Sequence, residues 1–319
     1  MKRQDVTTEQ TVELRRSGLG GSDMGAVLGI DPYRGPLDVW MEKTEQVEPT
    51  DLSDVDAVWF GSNAESLVAK YFERRTGIGV EPVGGTHRHP THRFLMAHPD
   101  RHVIGLSEGL EIKTASPRMH EQWGEQGTDE IPEQYLAQCH HYMLVMDWSA
   151  MHVACLMGNE LMTYRVQRND AWDATILDTG EEFWNKYVCP VRMPSLDYNA
   201  LTLRALKRLY PRPIAETIMR GDSLLHLVET KRELQERIRT AEKARDGIDA
   251  MLLEAIRDRE WCVLPDGKAM HRITVDEAVI PSYTRKGYSF FKEVKTPKAV
   301  QALVPVTMTI EQPTEKQDE

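Results

Sequence analysis

Three side chains between positions 100 and 113 have the types and spacing of a reactive centre. Asp100 follows His98-Pro99, and ten residues separate it from Glu111-Ile112-Lys113. If the two segments are adjacent strands of a hairpin, Glu111 and Lys113, two apart, point to the same face. Asp100, near the start of the first strand, can reach the same point. Two carboxylates and one amine are costly to bring together unless something neutralises the acids. A hard divalent cation does this, and carboxylate oxygens suit Mg2+ or Mn2+. The lysine can orient a water and offset charge that develops on a phosphate. The competing reading is a surface hairpin whose Glu and Lys face solvent, because this bare spacing also occurs by chance.

Three further residues weigh against the surface hairpin. Glu65 stands among Leu67 and Val68 in a helical stretch upstream, although taken alone it fits an exposed helix face. Gln138 and Tyr142, four apart, share a face of a later helix, although taken alone they fit an amphipathic boundary. The ordered set is helix Glu, strand Asp, strand Glu-x-Lys, helix Gln-x-x-x-Tyr.

The elements that must position these groups are legible in outline. Residues 7–16 read as a short helix, followed by a glycine-rich turn from Gly18 to Gly21. Ser22 or Asp23 is suited to cap the next helix, which runs to Leu28. Pro36 opens another helix. Residues 57–76 show helical periodicity, with Gly77 as C-cap. Strands are expected near 79–83, 94–98, 101–105 and 109–114, then a mobile loop over 116–131. A helix follows from Pro132 to about Met146. Strands near 150–157 and 160–167 flank Gly158-Asn159, a hairpin signal in an unusual residue order. A helix over 170–187 closes this part.

The C-terminal third has a different texture. Pro211-Arg212-Pro213 marks a break, and a long helix is expected from Asp222-Ser223 to about Arg259. Within it Leu234, Ile238, Ala241, Ile248, Leu252 and Ala255 form a coiled-coil-like seam interrupted by Arg245. One arm of a hairpin packed within its own chain is an equal reading. A strand pair is expected around Pro265-Asp266-Gly267, then a disordered tail. The expected organisation is a domain over 1–210, a long-helix and β-hairpin extension over 211–298, and the tail over 299–319.

Length and composition bound the function. The 319 residues have ordinary globular composition and a formal net charge of −11. That argues against a protein held on nucleic acid by bulk charge. The excess is uneven: residues 1–200 carry 18 basic and 31 acidic side chains, residues 201–319 carry 21 and 19. Cys139, Cys155, Cys189 and Cys262 are scattered, so neither a zinc cluster nor a disulfide scaffold is indicated. No apolar run is long enough to span a membrane. Met1-Lys2-Arg3-Gln4-Asp5 does not open a secretory signal, so the cytoplasm is the expected compartment.

Taken in order, these residues resemble the YqaJ-type viral recombinase nucleases, relatives of phage lambda exonuclease in the PD-(D/E)XK superfamily. The resemblance covers about residues 10–170. It rests on Gly18-Leu19-Gly20-Gly21-Ser22-Asp23, Leu28-Gly29, Pro32-Tyr33, Pro36-Leu37 and Gly61 to Glu65. It continues through His98-Pro99-Asp100, Leu110-Glu111-Ile112-Lys113-Thr114, and Ile131-Pro132 to Gln138 and Tyr142. The acidic linker around 45–56 and the far C-terminus depart from it.

The resemblance implies an α/β fold, a central mixed sheet flanked by helices, with a helical and small β extension. It implies Mg2+-dependent degradation of double-stranded DNA from free ends, 5′ to 3′, in a phage or prophage setting within a bacterial host. It further implies a single-strand annealing partner and a ring-shaped oligomer. By motif match, Asp100 and Glu111 ligate metal with the Ile112 carbonyl beside them. Glu65 binds metal directly or through water, and Lys113 positions the attacking water. Gln138 holds the Lys113 region or the phosphate, supported by Tyr142. Arg15 and Ser22 correspond to residues that hold a terminal 5′ phosphate. A capped helix with a solvated arginine explains that pair equally well.

Two other clusters are weaker. His87, His89, His92, His98 and His102 fit no usual zinc spacing and read as polar surface, with His98 placed near the metal centre. Arg285 to Lys292 interleaves basic and aromatic residues and reads as either an edge strand or a nucleic-acid grip. Two other functions remain open: a structure-specific or repair endonuclease of the same fold, and a non-catalytic DNA-binding or assembly module. An iron–sulfur nuclease is disfavoured by the scattered cysteines.

Overall fold

A computed structural model describes residues 13–48, 54–213, 222–258, 261–263 and 269–271. The chain divides into two compact units, Met1–Pro211 and Arg212–Glu319. The first is built on a five-stranded mixed sheet. Its strands are β1 (Val80–Pro82), β4 (Arg101–Val103), β5 (Glu108–Ala115), β6 (Ala150–Met157) and β7 (Glu160–Gln167), in the order β1-β4-β5-β6-β7. Only β5 and β6 pair in parallel; the other neighbours are antiparallel. β2 (His87–Arg88) and β3 (Met96–Ala97) form a separate two-stranded sheet. The expected strand over 94–98 therefore lies outside the main sheet, and its partner β2 had no strand signature in the sequence.

Helices cover both faces. α1 (Gly21–Val27), α2 (Pro36–Lys43), α4 (Glu133–Met146) and α5 (Asp170–Phe183) contribute to the larger core with Met151, Val153, Tyr164 and Val166. α3 (Asp56–Thr76) lays Ala64, Val68, Ala69 and Phe72 on Leu110, Ile112, Ala154, Leu156 and Leu161 from the other side. The alternation of β5 thus sends Leu110 and Ile112 towards α3 and leaves Glu111 and Lys113 on the α4 side. α4 is the crossover that the parallel β5–β6 pair requires.

Several local expectations change. Residues 7–12 lie outside the described residues, and 13–16 are helical. α1 starts at Gly21 with Gly20 as N-cap. Asp23, three residues on, accepts the Gly20 amide at 3.0 Å, so neither Ser22 nor Asp23 is the cap itself. The segment 116–131 is anchored rather than loose. It contains a 3-10 helix (Pro117–Gln122), buries Trp123 and Ile131, and exchanges backbone hydrogen bonds with β7 through Gly127 and Thr128. Gly158 adopts φ +63° at the first central turn position, the arrangement of a II′ hairpin, which accounts for the residue order. α5 runs into a π-helical turn (Trp184–Val188), and α6 (Ala200–Leu209), capped by Asn199, was not anticipated.

The second unit holds α7 (Asp222–Ile256) and the paired strands β8 (Trp261–Val263) and β9 (Ala269–His271). The stretch 285–292 and the tail 299–319 lie outside the described residues. Among the described residues no helix is long and apolar enough to cross a membrane.

Candidate active site

The hairpin β4–β5 pairs Arg101 with Leu110 and His102 with Gly109, which sets Asp100 beside Glu111-Ile112. Asp100 Oδ2 accepts the Ile112 amide at 2.7 Å, fixing its carboxyl against the strand. Lys113 Nζ donates to Glu111 Oε1 at 2.7 Å and to Gln138 Oε1 at 3.0 Å. Gln138 Nε2 donates to Glu111 Oε1 at 2.8 Å and to the Tyr142 hydroxyl at 2.9 Å. The i, i+4 spacing on α4 thus delivers Gln138 and Tyr142 together, as read from the sequence. The structure brings Asp100, Glu111, Ile112, Lys113, Gln138 and Tyr142 to one place.

Glu65 reaches this group from α3. It is paired with Arg101 Nη1, which also donates to the Asp100 carbonyl at 2.6 Å. Arg101 is buried, and sequence reasoning passed over it, although its position next to Asp100 was the available signal. Tyr135 was also missed. Its ring lies under Lys113, with Nζ 4.7 Å from the centroid, and it sits one helical turn before Gln138 on α4.

The electrostatics of the centre are unbalanced. Burial and the nearby Glu111 carboxylate push the Asp100 carboxyl up to about 8, against the opposing pull of the Ile112 amide. Glu111 is only 4% exposed, and its Oε2 has no hydrogen-bond partner. Burial works against the charged form of Lys113, but Glu111 beside it prevails and its pKa is raised. Among the described residues no three His, Cys, Asp or Glu side chains already converge on one point as metal ligands. Glu111 Oε1 faces Lys113, and Glu65 is engaged by Arg101. The orphaned Glu111 oxygen and the mutual repulsion with Asp100 nevertheless fit a hard cation, which these two carboxylates could hold.

Residues 11–149 match the YqaJ-like viral recombinase domain. This YqaJ-like segment includes the helix bearing Glu65, both strands of the Asp100–Lys113 hairpin, and α4. The chain is 29% identical over 288 residues to the uncharacterized protein YqaJ of Bacillus subtilis (strain 168), covering 87% of each. Among solved structures it is similar to an alkaline exonuclease from Laribacter hongkongensis. That match has 17% identity and a TM-score of 0.48, over 58% of this chain and 94% of that one. A phage-related exonuclease from Haemophilus somnus 129PT matches at 12% identity and a TM-score of 0.39, over 57% and 99% of the two chains.

Arg15 and Ser22 are not drawn into the carboxylate cluster. Ser22 is exposed on α1. The amide of the Gly20 cap is taken by Asp23, which also bonds Lys43 at 2.6 Å and Arg34 at 3.2 Å. Arg15 is exposed, and its charge, after burial, helps lower the pKa of His98, together with His87, Arg88 and Lys43. The His98 ring itself is 2.9 Å from Thr86 Oγ1. Arg88 donates to Ser17 Oγ at 2.6 Å and to the Arg93 carbonyl at 2.7 Å, two neutral oxygens. Arg15, Arg88 and Lys43 thus act on His98, two residues before Asp100 in the chain.

The glycine turn has a second task. A methyl group on Gly21 would stand 2.5 Å from Tyr142 Cε1, closer than any side chain tolerates. The bare Gly21 backbone is what lets Tyr142 support Gln138. Gly21→Ala is expected to lower turnover about 10- to 100-fold by displacing that relay. DNA binding, measured separately, should hold; unchanged turnover would show that the turn does not seat Tyr142.

Proposed function

We propose that this chain is a divalent-metal-dependent exonuclease that hydrolyses linear double-stranded DNA from its ends, 5′ to 3′. Its product is single-stranded DNA for phage-type recombination with an annealing partner. The observation that carries the reading is the Asp100, Glu111 and Lys113 cluster, joined by Gln138 and Tyr142, within a YqaJ-like domain. Mg2+ is the expected cation and Mn2+ a substitute. Bound by Asp100, Glu111 and the Ile112 carbonyl, with Glu65 direct or through water, it would polarise the scissile phosphate and activate a water.

The chain's own residues supply the rest. Glu111 and Gln138 hold the Lys113 ammonium at a fixed point. From there it donates to the attacking water and offsets charge on the phosphate. Gln138, fixed in turn by Tyr142, keeps Lys113 from swinging away with the flexible stem that lysine has. Arg101 holds Glu65 and the Asp100 carbonyl in register. Arg15, with Arg88, offers positive charge for a terminal 5′ phosphate, and Ser22 a hydroxyl. A ring of copies enclosing the duplex would compensate for the weak bulk attraction that a −11 chain has for DNA.

One assay tests this reading. The protein is incubated with linear and closed circular duplexes, with Mg2+ and with chelator. Loss of the linear form only, and only with metal, is expected. Cutting of the circle would replace the exonuclease with an endonuclease. No hydrolysis with either Mg2+ or Mn2+ would leave a binding module. Equal rates on phosphorylated and unphosphorylated 5′ ends would remove the role of Arg15 and Ser22.

A further inference from the structure

A lysine ammonium has three donors on a flexible stem, so a centre that uses it must hold it from more than one side. Glu111 Oε1 and Gln138 Oε1 accept two of the Lys113 donors, at 2.7 and 3.0 Å. A third side is occupied by an aromatic ring. Lys113 Nζ stands 4.7 Å from the centroid of Tyr135, inside the range of about 6 Å over which a ring face attracts a cation. Tyr135, Gln138 and Tyr142 occur at i, i+3 and i+7 on α4, so one helix face delivers the ring, the amide and the hydroxyl. Burial raises the pKa of the Tyr135 hydroxyl, and the opposing pull of Lys113 does not overcome it. The side chain therefore meets the ammonium as a neutral ring and not as a phenolate.

The ring has fixed neighbours of its own. The Trp123 centroid lies 5.6 Å from that of Tyr135 and 5.3 Å from that of Tyr164. Trp123 is only 4% exposed, and the Tyr164 hydroxyl donates to the Gly124 carbonyl at 3.3 Å. The Gly124 amide donates to the Glu130 carbonyl at 2.8 Å, which closes the segment on itself. A column of aromatic contacts thus runs from β7, through the anchored 116–131 segment, to the lysine. We propose that Tyr135 is a positioning residue for Lys113: its ring face keeps the ammonium on Glu111 and Gln138, with the third donor left for the attacking water. This role rests on the nuclease reading. Without the ring the lysine stem can turn the charge out to solvent. The attack then loses an aligned donor, while the grip on the duplex is unaffected.

Two variants of the full chain separate the ring from mere packing. Tyr135→Leu removes the ring but leaves an apolar side chain beside Trp123. Its single-turnover rate on linear duplex with Mg2+ should fall about 10-fold, with DNA affinity in chelator unchanged. Tyr135→Phe, which returns the ring without the hydroxyl, should recover most of that loss. Equal losses in the two variants, or no loss in Tyr135→Leu, overturn the proposal. A second readout needs no DNA. In chain labelled with 13C at lysine Cε, the ε-protons of Lys113 are identified by their absence from Lys113→Ala. They should resonate upfield of the other lysines, shielded by the ring, in the unmodified chain and in Tyr135→Phe. In Tyr135→Leu they should return to the ordinary lysine position. An ordinary position in the unmodified chain overturns the proposal. Absence of hydrolysis with the upfield signal kept would overturn the nuclease reading and leave the seating of Lys113 by Tyr135 standing.

Discussion

Lys113→Ala should reduce hydrolysis of linear duplex DNA by about 10²- to 10³-fold, the usual cost of removing one fixed donor from a charge-developing centre. The effect should fall on turnover, because Lys113 is held by Glu111 and Gln138 and, under the proposed function, acts on the attacking water rather than gripping the duplex. DNA binding in chelator should therefore remain close to that of the unmodified chain. Lys113→Arg should not rescue, since a planar guanidinium does not fit the two-acceptor cradle above the Tyr135 ring. Single-turnover rates and filter binding separate the two quantities. Retained turnover in Lys113→Ala would falsify the placement of the centre.

The second large effect is on stability, on the opposite face of the same strand. Glu108 accepts from His152 Nε2 at 2.8 Å and from Arg165 Nη2 at 2.7 Å, tying β5, β6 and β7 together. His152 lies edge-on to Phe72 of α3, with ring centroids 5.6 Å apart. The Glu108 side chain is only 11% exposed. Removing the acid strands the His152 donor, whereas Arg165, with 38% of its side chain exposed, can turn to water. Glu108→Ala should cost about 2 kcal/mol. Glu108→Gln, which keeps an acceptor but loses the charge, should cost clearly less. The midpoint of urea unfolding by tryptophan fluorescence reads both. An unchanged midpoint in the alanine variant would mean that the trio adds nothing net. Folded protein should keep its turnover, because Glu108 points away from Glu111.

What the sequence disclosed follows a physical pattern. The Asp100–Lys113 hairpin was legible because strand alternation fixes which side chains share a face, and a ten-residue gap leaves few ways to connect two strands. Gln138 and Tyr142 were legible for the same reason in helical form. Long elements such as α3, α4, β6 and β7 carried enough periodicity to stand out. The two-residue strands β2 and β3 did not, because so short a segment has no period. Trp123 was the error in the 116–131 segment: its neighbours are polar and glycine-rich, but the indole is buried and holds the segment in place. Arg101 was missed because a basic residue beside an acid usually faces solvent. Only the tertiary position of Glu65 draws it inward. Gly21 looked like turn chemistry alone, and its close approach to Tyr142 depends on a helix more than a hundred residues away.

The single parallel pairing in the sheet also sets an order of assembly. β5 leaves the ribosome carrying Glu111 and Lys113, but its parallel neighbour β6 follows only after α4 and the intervening turns. Non-local pairing of this kind forms late, because a long loop must close before any contact rewards it. Until then Gln138 and Tyr142 have no settled place beside β5. A nascent or truncated chain ending before β6 therefore holds the acids with Gln138 and Tyr142 not yet aligned beside them. Under the proposed function, a growing chain gains a competent centre only once β6 has emerged and paired with β5.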